Sequence, residues 1–215
     1  MPAGFAAGDL LVGFASGALG VVPSARPSGW SVLRTITDTN MTVDIVTKTA
    51  AGGDAAPSWT ATSRKWSGAC IAITGGTWNT GGAWDVENGA AQGTTSTTSY
   101  AAPSITTLTA DCLLLAMFTN LAASTWTNTN TNPAMVEAVD TTASGTTPTS
   151  LSLYHSSLNV VPVGAITRNG TASVASADAC MWAGAIKPTG TGGVGGIFDW
   201  YSRPHRHPTV PHRNN

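Results

Sequence analysis

The sequence predicts an all-β protein, a single jelly-roll-like antiparallel β-sandwich with an extended C-terminal arm. Three observations predict it. Short apolar runs of strand length recur along the chain, separated by clusters of Gly, Pro, Asn and Ser. Thr, Ser, Ala and Gly stand where charges usually do: 10% of the residues are charged, against about 25% in an ordinary soluble domain. Helix signals are nearly absent.

The elements follow in chain order. The run 9–16 (DLLVGFAS) is short, apolar and bounded by Gly. The run 30–37 alternates, and 41–49 (MTVDIVTKT) alternates more clearly. There Met41, Val43 and Ile45 point one way, and Thr42, Asp44, Val46 and Lys48 the other, as the two-residue strand period requires. The run 67–74 (SGACIAIT) reads as a buried strand. Further strands are expected at 111–119, 134–140, 150–156, 163–168 and 179–186, with Leu114 fully buried. The Gly-rich stretch 75–93 reads as a long excursion at one end of the sandwich.

The two halves echo each other. Asp9-Leu10-Leu11-Val12 resembles Asp111-Cys112-Leu113-Leu114, and a Pro-containing loop follows each. The strand 41–49 then corresponds to 150–156, and the strand of Cys70 to that of Cys180. The offset widens along the chain, as loop insertions would cause.

After Lys187 the character changes. Residues 1–187 form the predicted sandwich domain, and 188–215 a Gly-rich linker followed by a Pro-, Arg- and His-rich arm. In this arm Arg203, Arg206 and Arg213 face a single acid, Asp199. The expected binding residues are Phe198, Trp200 and Tyr201 as anchors, because aromatics dominate interface energies, with the three Arg adding orientation.

Composition excludes several classes. Net charge is −1, so no bulk field draws in nucleic acid or an anionic membrane. No apolar run approaches the roughly 18 residues of a membrane-spanning helix. Cys70, Cys112 and Cys180 all lie in apolar strand-like runs without zinc-site spacing, and read as free core thiols. With no signal-peptide pattern at the start, assembly in a reducing cytoplasm is expected.

Few residues invite chemistry. Asp85 and Glu87 flank Val86, and carboxylates two apart on an extended segment can face the same way. They read as a solvated loop, with a Ca²⁺ site or a glycosidase pair as the alternatives. His155 stands alone in a strand. His205, His207 and His212 lie in the arm, where no Cys, Glu or Asp follows to complete a metal site. No nucleophile elbow, phosphate loop or dinucleotide fingerprint is present. Trp59, Trp66, Trp78, Trp84 and Trp126 read as caps over the open ends of the sandwich, with an interface or sugar stacking as alternatives.

One family resemblance covers roughly 4–187. The segments that carry it are Gly8 to Val12, Pro27-Ser28-Gly29-Trp30, Val43 to Ala50, Trp59-Thr60, Ala69 to Ile73, Thr94 to Pro103 and Asp111 to Leu115. In strand order and loop residues these resemble a β-sandwich domain of tailed-bacteriophage virion proteins, found in capsid decoration and minor tail proteins. The resemblance implies a structural virion component, without catalytic residues, and a structural place for Asp85. The arm lies outside it.

The expected function is therefore a non-enzymatic structural protein of a tailed-phage virion, foremost a capsid decoration protein attached to neighbouring subunits partly through its arm. A minor tail protein, or a carbohydrate-binding module contacting the host surface, is the alternative, and a depolymerase a distant one. Expected partners are other virion proteins, the major capsid protein or tail subunits. A homo-oligomer and a host glycan are further options; nucleic acid and membrane are not expected. No cofactor, metal or catalytic residue is expected. The expected location is the virion surface, after assembly in the host cytoplasm.

Overall fold

Each apolar run of the sequence becomes a strand, and three further strands lie in segments without such a run. The computed structural model describes residues 2, 4–18, 23–60, 66–74, 78–79, 84–143, 147–156 and 163–189. Among these there is no helix. The strands are β1 (Leu10–Ala18), β2 (Ser31–Thr37), β3 (Met41–Thr49), β4 (Trp66–Ile73), β5 (Trp84–Ala91), β6 (Thr97–Thr107), β7 (Leu113–Asn120), β8 (Trp126–Thr127), β9 (Met135–Ala143), β10 (Thr149–Ser156), β11 (Gly164–Ser176) and β12 (Ala179–Ile186). All pair antiparallel. They make three sheets: sheet I in the order β2-β3-β1-β4, sheet II in the order β5-β12-β7-β10-β9, and sheet III in the order β6-β11-β8.

The fold is the expected all-β antiparallel sandwich, with a third layer added. Strands β7, β10 and β12 are buried at every residue. Alternate side chains leave a strand on opposite faces, so these strands feed two cores. Leu113, Leu115 and Met117 join Leu153 and Trp182 against Val12, Phe14, Val43 and Ile45 of sheet I. Leu114, Ala116 and Phe118 join Met181 and Tyr154 against Tyr100, Ile105, Trp126 and Ile166 of sheet III. Sheet II is thus the middle of a three-layer stack, and its near-continuous apolar runs are what burial on both faces requires.

The repeat is visible in the topology. In sheet I, β1 sits between β3 and β4, with β2 outside β3. In sheet II, β7 sits between β10 and β12, with β9 outside β10. The two sets match strand for strand, in the correspondence the sequence gives for the halves. The second half differs by insertion. β8 precedes β9 and β11 precedes β12, and in sheet III β11 pairs with β6 on one side and with β8 on the other; β5 adds an edge beyond β12.

Two glycines allow the layers to approach. A Cβ on Gly170 of β11 would lie 2.8 Å from the Phe118 ring of β7, and one on Gly89 of β5 would lie 2.4 Å from Ile36 of β2. The stretch 75–93, read as a loop, in fact contributes β5, an edge strand of the middle sheet. β11 runs well past the expected end at 168. No disulfide joins the three Cys, as expected. Cys112 and Cys180 are buried, but Cys70 is only half-buried, because Ile71 and Ile73 take the core-facing side of β4. The arm beyond Thr189, with Phe198, Trp200, Tyr201, Arg203, Arg206 and Arg213, lies outside the described residues.

Candidate functional site

With so few charges, the position of each is informative. Asp44 is fully buried on β3, on the face of sheet I turned away from sheet II. Arg26 donates to it from Nε at 3.1 and 3.0 Å and from Nη2 at 3.0 Å. Thr35 Oγ1 donates at 2.7 Å and Trp59 Nε1 at 3.0 Å. A buried carboxylate needs such donors, since an unpaired one costs several kcal/mol. The result is a clasp: the segments of Arg26 and Trp59, themselves bridged at Ala25 and Thr60, are pinned over the outer face of sheet I. The bond to Asp44 holds the Arg26 guanidinium above its ordinary pKa.

Asp85 and Glu87 are not a pair in a solvated loop. Across β5 and β12, Ala185 opposes Val86 while Ile186 opposes Trp84. Asp85 is therefore the extra residue of a bulge, which turns its side chain away from that of Glu87. Asp85 accepts from Leu108 N at 2.7 Å, Thr109 N at 3.2 Å and Thr109 Oγ1 at 2.8 Å, with Lys187 Nζ at 3.9 Å. Burial pushes its pKa up, but the bonds from Thr109 and Leu108 and the charge of Lys187 outweigh this and hold it below the usual value. Glu87 turns to the other side. It accepts from Nε and Nη2 of Arg34, both at 2.7 Å, and from Trp182 Nε1 at 2.7 Å. That fork joins β5 of sheet II to β2 of sheet I.

The remaining candidates are also placed within the fold. His155 is 6% exposed, with Nδ1 2.9 Å from the Ser156 carbonyl. Burial lowers its pKa, partly offset by that bond, so the ring is neutral at pH 7. Among the Trp residues read as end caps, Trp78 and Trp126 are core residues. Trp66 and Trp84 lie within β4 and β5, the Trp66 ring lies over Gly17 of β1, and Trp59 covers a sheet face from a loop.

One group was missed by the sequence reading. β9 is the outer strand of sheet II. Its register against β10 shifts: Leu153 opposes Val139, and Tyr154 opposes Glu137. Ala138 is thus extra, and both Ala138 and Val139 pack on the first core. Glu137 and Asp140 then emerge together toward the sheet III side. Ser152 Oγ donates to Glu137 at 3.3 Å, and Trp126 N donates to Asp140 at 3.2 Å. Neither carboxylate has an ion-pair partner among the described residues.

Their electrostatics differ from those of Asp85. Local desolvation pushes Glu137 above the usual carboxylate range; the Asp140 charge adds to this, and the Ser152 bond opposes it. Desolvation also raises Asp140, opposed by the bond from Trp126. Behind them Tyr154 is 1% exposed. Its hydroxyl has no hydrogen bond of ordinary geometry, although Ser152 lies near enough to lower its pKa. Burial first, and then the two carboxylates, push it up to about 12.

No family model, curated protein or solved structure matches this chain. What the site can do rests on its own chemistry. A strand edge bearing two carboxylates without an ion-pair partner among the described residues, with a buried phenol behind them, is suited to accept a cationic segment. No group of three or more potential metal ligands occurs among the described residues.

Proposed function

We propose that this chain is a non-enzymatic structural protein on the surface of a tailed-phage virion, a capsid decoration protein joined to its neighbours partly through its C-terminal arm. The observation that carries the reading is the use made of the charged groups. Asp44, Asp85 and Glu87 spend their acceptor capacity holding segments and layers together, which supports a structural part for them. The outer face of sheet III supports the same reading. There Ser99, Ala101 and Thr106 of β6 oppose Thr171, Asn169 and Ala165 of β11, all exposed and uncharged. Such a face lies against protein without stranding a charge. The phage assignment itself draws on the resemblance in strand order.

The test is to image particles by electron microscopy with the full chain and with a chain lacking 195–215. Density for the full chain on the capsid, lost on truncation, is the expected result. A tail location would move the protein to the minor tail class, and unchanged incorporation of the truncated chain would remove the arm from the proposal. Specific binding on a glycan array would favour the carbohydrate-binding alternative.

A further inference from the structure

We infer that the edge of β9 around Glu137 and Asp140 is the docking site for the C-terminal arm of a second copy of this chain. This inference rests on the assembly reading above and adds the receiving surface.

The receiving side has three properties. First, β9 is an edge strand, and between its ends, where Met135 O and Ala143 N bond to Asn128 and Ser67, its edge can take an added segment. Second, its two carboxylates lack a cation, whereas the described cations are already engaged. Arg26, Arg34, Lys48 and Lys187 pair with Asp44, Glu87, Asp54 and Asp85, and the buried Arg168, which has no acidic partner among the described residues, donates from its two terminal nitrogens to the carbonyls of Thr167 and Asn132 while its Nε stays unbonded. Third, the Tyr154 hydroxyl is buried beside these carboxylates without a bond of ordinary geometry, and the exposed Val136 (44%) supplies apolar surface on the same strand.

The arm offers the complement. Arg203, Arg206 and Arg213 supply fork-shaped donors suited to carboxylates. Pro204, Pro208 and Pro211 favour an extended backbone. Phe198, Trp200 and Tyr201 supply apolar anchors. The assembly reading favours a neighbour's arm over the chain's own. The arm continues from β12, three strands from β9 in sheet II, which is about 14 Å at the usual strand spacing. The 26 residues beyond Thr189 are long enough to cross that distance in the chain's own arm too, and the mixed isotope pools below tell the two apart. The two exposed carboxylates, whose raised pKa values disfavour ionisation in the lone subunit, gain the missing counter-charge on docking.

The test uses the full chain with a photo-activatable benzoylphenylalanine at position 200, mixed from light- and heavy-isotope pools. The expected product is a between-chain cross-link mapping to 135–143. Glu137→Gln with Asp140→Asn should weaken self-association by roughly threefold to thirtyfold, the range two partly exposed ion pairs supply. Added salt should act in the same direction. Arg64→Gln with Lys65→Gln, the cations just before β4, should leave the cross-link in place; its loss would hand the site to that segment. A between-chain cross-link elsewhere overturns the β9 site while leaving an assembling arm. A cross-link to 135–143 only within one chain overturns the exchange between copies. Equal self-association of the full chain and of the chain lacking 195–215 overturns the arm reading itself.

Discussion

Leu114 and Leu115 are neighbours on β7, at 1% and 0% exposure, yet they belong to different cores. In a two-layer sandwich one of two adjacent strand residues faces solvent, and truncating it changes stability by no more than about 0.5 kcal/mol. Here both truncations should be costly. Leu→Ala removes about three carbons, worth about 2.4 kcal/mol of transfer energy at 0.8 per methylene. A cavity cost adds to this where the surroundings cannot collapse. Around Leu114 the second core is rich in Ala116, Ala183 and Ala185, which have no flexible side chain to move in. Leu114→Ala should therefore cost about 3–5 kcal/mol, in the upper part of the known range. At about 2–4 °C per kcal/mol for a chain of this size, melting should fall by roughly 6–20 °C. Urea unfolding and thermal circular dichroism read this directly, with Leu108→Ala, at 76% exposure, as the control. A Leu114→Ala cost under about 1 kcal/mol, beside a full cost for Leu115→Ala, would refute the second core.

Other expectations follow from the polar contacts. Glu87→Gln should lose about 1–3 kcal/mol, because Arg34 and Trp182 both lose a charged acceptor; a double-mutant cycle with Arg34→Gln that shows no coupling would contradict this. Thiol reagents should reach Cys112 and Cys180 only on unfolding, and Cys70 slowly, faster as pH rises toward its thiol pKa of about 11; a mass-mapped disulfide would overturn the assignment of free thiols. The raised pKa values of Glu137 and Asp140 mean that ionising them opposes folding, so their contribution to stability improves as pH falls through the folded values. Glu137→Gln with Asp140→Asn should melt above wild type at pH 7, with the gap closing below the carboxylate range. Asp85→Asn should melt lower at pH 7, since the depressed pKa of Asp85 gives stability that is lost as pH falls through it. Purified protein should leave host-wall polysaccharide and peptidoglycan uncut; cleavage that vanishes in the Glu137→Gln, Asp140→Asn variant would place a depolymerase first.

The strands with strong apolar runs were legible. β1, β3, β7, β10 and β12 stand near their expected positions, and the alternation of β3 put Met41, Val43 and Ile45 in the core as the period requires. The third sheet was not legible, for a physical reason. β6 and β11 turn outward Ser, Thr, Asn and Ala, and several of their inward residues are small: Ala102, Gly170 and Ala172. Short side chains let sheet III lie close to β7, as the approach of Phe118 to Gly170 shows, but they leave little hydrophobic signal in the sequence. β5 was hidden differently. Its Asp85, Glu87, Asn88 and Gly89 read as loop chemistry, and only the partners from β2, β12 and the segment after β6 make those residues compatible with a strand. A signal for double burial was present nonetheless: the uninterrupted apolar character of 113–118 and 179–186 fits a strand covered on both faces better than one half exposed.

The candidate site shows where strand periodicity fails as a guide to function. Asp85 and Glu87 are two apart, so a regular strand places them on one face. The bulge at Asp85 sends one to Thr109 and the other to Arg34, and the apparent pair dissolves into two structural contacts. Glu137 and Asp140 are three apart, so a regular strand places them on opposite faces. The bulge at Ala138 brings them together, and a pair arises that periodicity denies. A bulge inserts one residue and reverses facing for everything beyond it, so its position decides which carboxylates are neighbours. Neither bulge carries the usual glycine mark, since the extra residues are Asp85 and Ala138. Their positions are set by the partner strands β12 and β10, which lie far away in sequence. The facing of an acid on an edge strand is thus a property of the sheet rather than of its own segment, which is why the acidic edge of β9 emerges only once the register is known.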